Sequence, residues 1–378
     1  MKTYEERVYA AWLSSPMLPP EILKKLLEQY RTAEAVYHAF HSGEKDYLDQ
    51  IPGLCLNTLR KNRNMSVLDF YQSLMERHQI QVLLYGSENY PENLLHISDP
   101  PCILFYQGTL SALCHSRKIS FVGSRRASYK GLRATKKLAQ ELSERRICVV
   151  SGLARGIDAA SHEGCLLGGS PTIAVLGCGL DNIYPRENAG LRQQILDSGG
   201  VILSEFAPGE KPFAWHFPIR NRIISGLGDA LVVMEARKNS GSLITVQWAL
   251  DQGKDVFAYP GDPEMPSYHE GSHQLLREGA RFFVRVDHIL EDLKWLDNLP
   301  QVAQNTTSLP DETAFSEEER RLIDALRPGP LGMDELCFHT GYSAGQIMGL
   351  VSLLQIRGIL EALPGKLYQL KTSDSQRN

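Results

Sequence analysis

From about Ile80 onward the chain alternates short apolar runs with longer amphipathic stretches, and this alternation restricts the architecture more than any other feature. KISFV leads through GSRR into YKGLRATKKLAQELSERR, ICVV leads through SGLARG into IDAASHEGCLL, and TIAVL precedes GCGLDNIYPRENAGLRQQILDSGG. VILSE, ALVVMEA, DVFAYPG and ARFFV continue the series. Strands that alternate with helices predict a mostly parallel sheet covered on both faces, since each helix carries the chain back to start another strand in the same direction. An extended Rossmann-like, doubly wound α/β domain is expected over residues 78–297, with QVLLYG and CILFYQG as two further strands.

The flanks have a different period. Residues 1–77 read as a small helical domain of helix-hairpin-helix or SAM type. PPEILKKLLEQY places Ile22, Leu23, Leu26, Leu27 and Tyr30 at helical spacing, and SVLDFYQSLMERHQ follows Ser66 as a candidate N-cap. IPGLCLNTLRKN between them has the pattern of a helix, a glycine turn and a helix. Residues 298–313 lack periodicity and read as a linker. Beyond it, Ser316 with Glu319 and Ser343 with Gln346 make two capping boxes, and GILEALPGKLYQL forms two strands about a Pro364-Gly365 turn. Three helices and a hairpin predict a winged helix over 314–372, with a tail at 373–378.

Composition excludes several classes of function. No apolar run approaches the roughly 20 residues of a bilayer span, and the charged start MKTYEERVYA predicts a cytoplasmic chain with no membrane partner. The seven cysteines are scattered without a CxxC pair, so neither a zinc nor a redox motif is expected, and Cys102, Cys148 and Cys178 read as buried thiols. Net charge is only −4, yet residues 116–146 hold ten basic side chains against Glu141 and Glu144. That local surplus suits a polyanion.

The turns after the strands carry the chemistry, because ligands in open α/β sheets sit where strand carboxyl ends meet helix N-termini. Four such turns share one character. Gly123, Ser124, Arg125 and Arg126 follow the first; Gly152 and Arg155 follow the second; GCG leads to Arg186 after the third; Ser240, Gly241 and Ser242 follow ALVVMEA. A glycine alone makes a tight turn, but four glycine or serine turns with arginines close by predict an anion cradle. EKPFAWHFP adds Lys211 and Phe213 beside Trp215 and Phe217, and aromatics next to cations suit single-stranded nucleic acid. Arg220, Asn221 and Arg222 would form one wall of the phosphate track.

Other sites are absent from the pattern. GCGLDN has Asn182 where a dinucleotide fingerprint needs its third glycine, and no P-loop, HExxH or GxSxG is present. Asp158 and Glu235 read as arginine partners or helix caps. His269 and His273 are four apart but have no third ligand, so no metal and no other cofactor is expected. The second capped helix of the winged domain carries no Lys or Arg before Arg357, and residues 311–335 hold eight acids against three arginines. Weak or no duplex binding is predicted there, the domain serving packing or partner contacts.

VGSRRASYKG, SGLARGIDAASHEG, TIAVLGCGLDNIYPRENAGL and FPIRNRIISGL with EARKNSGSLITVQWAL, in that order, resemble the DprA/Smf family of bacterial DNA-processing proteins. PSYHEGSHQLLREGA, after PGDP, departs from the family's pattern. The resemblance implies an ATP-independent, non-enzymatic homodimer that binds single-stranded DNA. Such a protein protects incoming strands in natural transformation and helps load RecA. It implies DNA contacts at Arg125, Arg126, Arg186, Lys211, Phe213 and Arg220 to Arg222. The alternative is a nucleotide-binding enzyme that cleaves an N-glycosidic bond, with SGSLIT following Glu235.

Overall fold

The computed structural model describes residues 4–42, 51–238, 240–262, 265–296, 315–327, 330–363 and 367–370. The linker at 298–313, the Pro364-Gly365 turn and the tail at 373–378 lie outside the described residues. The chain divides into two units, residues 1–301 and 302–378, each with its own core.

The first unit begins with helices α1 (Glu6–Ser14), α2 (Pro20–Tyr30), α3 (Ala33–Ser42), α4 (Gly53–Asn62) and α5 (Met65–Arg77). Trp12 is fully buried at their centre and its indole donates to the Leu59 carbonyl at 3.3 Å. Two local expectations shift. Asn64, not Ser66, caps α5, its Oδ1 accepting from the Val67 amide at 3.0 Å; the two side chains cap equally well, and Asn64 is the one with extended backbone. IPGLCLNTLRKN supplies a single helix, with Gly53 as its first residue after Pro52.

Strands β1 (Gln81–Leu84) and β2 (Ile103–Gly108), with the one-turn α6 (Glu92–Leu95) between them, form an antiparallel edge. Next come β3 (Lys118–Val122), β4 (Cys148–Ser151), β5 (Thr172–Val175), β6 (Val201–Ser204), β7 (Ala230–Val233), β8 (Asp255–Ala258) and β9 (Arg281–Phe282), all parallel to one another. The sheet order is β1-β2-β6-β5-β4-β3-β7-β8-β9. The chain enters the parallel part at β3, steps outward to β6, then returns to the other flank of β3. The order therefore reverses between β3 and β7, which pair from Ile119 opposite Ala230 to Val122 opposite Val233.

Both faces are covered, as near-continuous apolar strands require. On one face Ile119, Phe121, Val149 and Val232 pack against α7 (Tyr129–Glu144), α8 (Ile157–Gly168) and α13 (Val286–Asp292). On the other, Val122, Val150, Leu231 and Val233 pack against α10 (His216–Leu227), α11 (Ser242–Asp251) and α12 (Pro266–Arg277). Successive residues of each strand serve opposite layers, and each fully buried Val, Leu, Ile or Phe contributes roughly 1.5–3 kcal/mol. Helix α9 (Ala189–Asp197) completes the unit through Ile195, which joins a core shared by Trp12, Ile103, Ala174 and Ile202. The N-terminal helices and the β1–β2 end of the sheet thus share one apolar interior.

The second unit contains α14 (Glu317–Leu326), β10 (Leu331–Gly332), α15 (Met333–Thr340), α16 (Ala344–Ile356), β11 (Leu360–Leu363) and β12 (Leu367–Leu370). Its strands lie in the order β10-β12-β11, all antiparallel, over a core of Leu322, Leu336, Ile347, Val351 and Leu354. The Ser316 hydroxyl accepts from the Glu319 amide at 3.2 Å and Glu319 accepts from the Ser316 amide at 2.8 Å, closing the first expected capping box. This arrangement is a winged helix. No helix among the described residues is long and apolar enough to cross a membrane.

Candidate nucleic-acid interface

A cleft of about 630 Å³ opens where the strand order reverses, between the turn after β3, the segment after β7 and the start of α10. The β3 turn is clamped in place. The Ser124 amide donates to the Glu235 carbonyl at 2.7 Å, its carbonyl accepts from the Ile157 amide at 3.2 Å, and its hydroxyl accepts from the Arg126 amide at 3.1 Å. A Cβ on Gly123 would lie 2.5 Å from Ile157 Cγ1, so no other residue fits the turn unshifted. Arg125 and Arg126 are exposed on its outside and both line the cleft. The Arg125 guanidinium carbon sits 5.0 Å from the centre of the Phe217 ring.

Arg220 is only 3% exposed and forms part of the cleft's floor. Its Nη1 donates to the Gly152 carbonyl at 2.9 Å and to the Val175 carbonyl, tying the ends of β4 and β5 together. Gly152 leaves room for the guanidinium, since a Cβ there would stand 2.7 Å from its Cζ. Burial pushes Arg220 down to about 10, while Asp158 opposes that shift. It remains a cation at neutral pH and adds positive field beneath the cleft.

Arg222 does not face the track. Two residues along a helix is more than half a turn, so its side chain leaves the opposite side of α10 from that of Arg220. It is 2% exposed, donates from Nη1 and Nη2 to Glu205 at 2.9 and 2.6 Å, and pairs through Nε with Asp99 at 2.9 Å. Its role is to hold α10 against the segments that bear those carboxylates. Asn221, between the two arginines, lines the cleft.

The other expected residues fall into three groups. Ser240, Gly241 and Ser242 line the wall at the start of α11, the two hydroxyls 2.7 Å apart. Gly152 and Arg155 border an adjoining depression of about 250 Å³ that lies past Phe217 and Tyr184; Arg155 pairs with Glu187. Arg186 and Lys211 are exposed but line neither hollow, while Pro212 and Ala214 beside Lys211 do line the cleft. The Phe213 and Trp215 rings are 47% and 52% exposed, with centroids 6.5 Å apart and planes 12° from parallel.

Both nearby carboxylates are engaged. Glu235 is fully buried and accepts from the Ser128 amide at 2.8 Å and from the Ser128 hydroxyl, which in turn caps α7 by accepting from the Gly131 amide at 2.9 Å. Asp158 accepts from the Ala154 amide at 3.3 Å, and burial raises its pKa against the opposing pull of Arg220. His269 lies 3.6 Å from Glu235, and His273 Nε2 stands 2.7 Å from the Pro260 carbonyl. The basic run is discharged more than its sequence implies: Lys130, Lys136, Lys137 and Arg145 pair with Asp262, Glu163, Glu141 and Asp287. Lys118 is buried against backbone carbonyls.

The family model for DNA recombination-mediator protein A matches residues 81–294, the whole span that builds this cleft. The chain belongs to the DprA family. A second model, the DprA winged helix domain, matches residues 304–366. Protein Smf of Escherichia coli K12 is 38% identical over 298 residues, covering 79% of this chain and 79% of that protein. Protein Smf of Synechocystis sp. PCC 6803 is 30% identical over 403 residues, covering 98% of this chain and 100% of its own length. The X-ray structure of Streptococcus pneumoniae DprA superposes with a TM-score of 0.63 at 33% identity, over 77% of this chain and 99% of that one. Helicobacter pylori DprA, whose structure was described for its unique single-stranded DNA binding mode, superposes with a TM-score of 0.51 at 29% identity, over 57% and 96%.

In this DprA-family chain two cleft residues escape a turn-by-turn reading. Arg237 lies four residues past β7 in EARKNSGS and lines the wall, its guanidinium 4.9 Å from the Tyr268 ring. Thr245 lines it from within α11; its three-residue spacing from Ser242 was the available signal.

Proposed function

We propose that this protein binds single-stranded DNA along the switch-point cleft and does so without catalysis. One observation carries the reading. Two arginine-bearing turns, Arg125 with Arg126 and Arg237 near Ser240, line one cleft beside the half-exposed, near-parallel rings of Phe213 and Trp215. Cations placed for a backbone and ring faces placed for bases are the two components of sequence-tolerant strand binding. An enzyme that cleaves an N-glycosidic bond needs a free carboxylate, whereas Asp158 and Glu235 are both committed to the scaffold. The single-stranded DNA binding mode described for Helicobacter pylori DprA supports the same reading. Family membership supports the wider role: a cytoplasmic homodimer that protects incoming strands in natural transformation and helps load RecA.

Titration with single-stranded, duplex and mononucleotide ligands over a salt series tests this. The single strand is expected to bind far more tightly than the duplex, and log affinity should fall with log salt by about 0.7 per phosphate contact. Equal affinity for AMP and an oligonucleotide, or release of free base, refutes the reading.

A further inference from the structure

Threonines in the described helices of this protein normally donate a hydrogen bond from their hydroxyl to the carbonyl four residues back. Thr135 does so to Gly131 at 2.7 Å, Thr340 to Leu336 at 2.6 Å and Thr58 to Leu54 at 2.9 Å. Thr245 makes no such bond. It is 0% exposed, its Oγ1 has no partner, and it lines the cleft one turn into α11. A buried hydroxyl left unpaired costs about 1–3 kcal/mol. The hydroxyls of Ser240 and Ser242, 2.7 Å apart, line the same cleft at the N-terminal end of a ten-residue helix. Arg237 lines the same wall.

We propose that this corner is built for a phosphate monoester: the terminal phosphate of a DNA strand or that of a mononucleotide. The inference rests on the reading of the cleft as a strand-binding groove and specifies which phosphate it holds best. Three hydroxyls match the three unsubstituted oxygens of a monoester, which carries about −1.5 to −2 charge at neutral pH. An internal phosphodiester offers two such oxygens and a single charge, and leaves one hydroxyl unmatched. The helix N-terminus and Arg237 favour the more highly charged group.

The test uses the full chain and measures binding by fluorescence anisotropy. One short sequence is prepared with a 5′-phosphate, with a 3′-phosphate and with hydroxyl ends, alongside a covalently closed single-stranded circle. In a parallel arm, dAMP and deoxyadenosine compete for the site. A phosphorylated end is expected to bind about tenfold more tightly than the hydroxyl-ended strand, the size of one charged hydrogen bond. A gain at one strand end identifies the terminus as the source, and a gain of dAMP over deoxyadenosine identifies the mononucleotide; either supports the proposal. In Thr245→Val, which keeps the shape and removes only the hydroxyl, the ratio should collapse towards one with the melting temperature retained. Ser240→Ala, at a half-buried position, should do the same. Equal affinity for all ends and for both competitors overturns the proposal. If neither the circle nor the hydroxyl-ended strand binds while dAMP does, the strand reading falls and the monoester site stands. If nothing binds, both fall.

Discussion

Replacing Arg222 by alanine separates its structural duty from DNA contact. The change removes both hydrogen bonds to Glu205 and the ion pair to Asp99, and leaves the largely buried Glu205 carboxylate without its cation. Breaking a buried pair from one side costs about 3–5 kcal/mol, and the Arg222 side chain is only 3% exposed. For a unit of residues 1–301, with about 2.1 cal/mol/K of unfolding entropy per residue, that loss lowers the melting temperature by roughly 5–8 °C. The cost depends on pH. Burial already holds Asp99 above the ordinary carboxylate range, against the pull of Arg222. Without the arginine, folded Asp99 binds its proton still more tightly than the unfolded chain does. The variant's deficit should therefore be smallest in acid and grow as pH rises from the unfolded value of about 4. Thermal unfolding at several pH values, with single-strand affinity measured well below the midpoint, checks both parts. An Arg222→Ala protein that melts like wild type but loses DNA would refute the assignment of Arg222 to the scaffold.

Changing Arg125 and Arg126 together to Glu should abolish single-strand binding by anisotropy and leave the melting temperature nearly unchanged, because exposed turn positions usually move stability by less than about 0.5 kcal/mol each. Trp215→Ala should weaken strand binding by about 1–3 kcal/mol, the value of one stacked base, with Trp215→Phe restoring most of it. Gly123→Ala drives a Cβ into Ile157; a loss of about 1–3 kcal/mol in urea unfolding is expected. Residues 302–378, which carry their own core, should give no tight duplex complex in a low-salt gel shift, since α16 has no basic residue to meet phosphate.

Strand positions and their parallel sense were legible because KISFV, ALVVMEA and their companions are apolar on both faces and helices separate them. The place of the cleft followed from the same pattern, since a doubly wound sheet puts its glycine turns along one edge. What could not be read was rotation. Arg220 and Arg222 look equivalent in RNR, and only the packing of α10 decides which one reaches β4 and β5 and which one finds Glu205. The discharge of the basic run was equally hidden, because Asp262, Glu163 and Asp287 lie far along the chain from the cations they meet. Ser66 lost the cap to Asn64 through backbone angles that side-chain type does not encode. The antiparallel sense of β1 and β2, and the core they share with Trp12, depend on long-range pairing that no local period reveals.

Glu235 joins parts of the fold that a strand would have to pass between. Its carbonyl holds the Ser124 amide, and its carboxylate holds the Ser128 amide and hydroxyl on the far side of Arg125 and Arg126. One residue just past β7 therefore sets how far the β3 turn stands from the segment that follows β7. The spacing of the turns that bear Arg125, Arg126 and Arg237 is thereby set by buried hydrogen bonds and not by the charges at their surface. The shape of the cleft is then held by a carboxylate that lines no part of it.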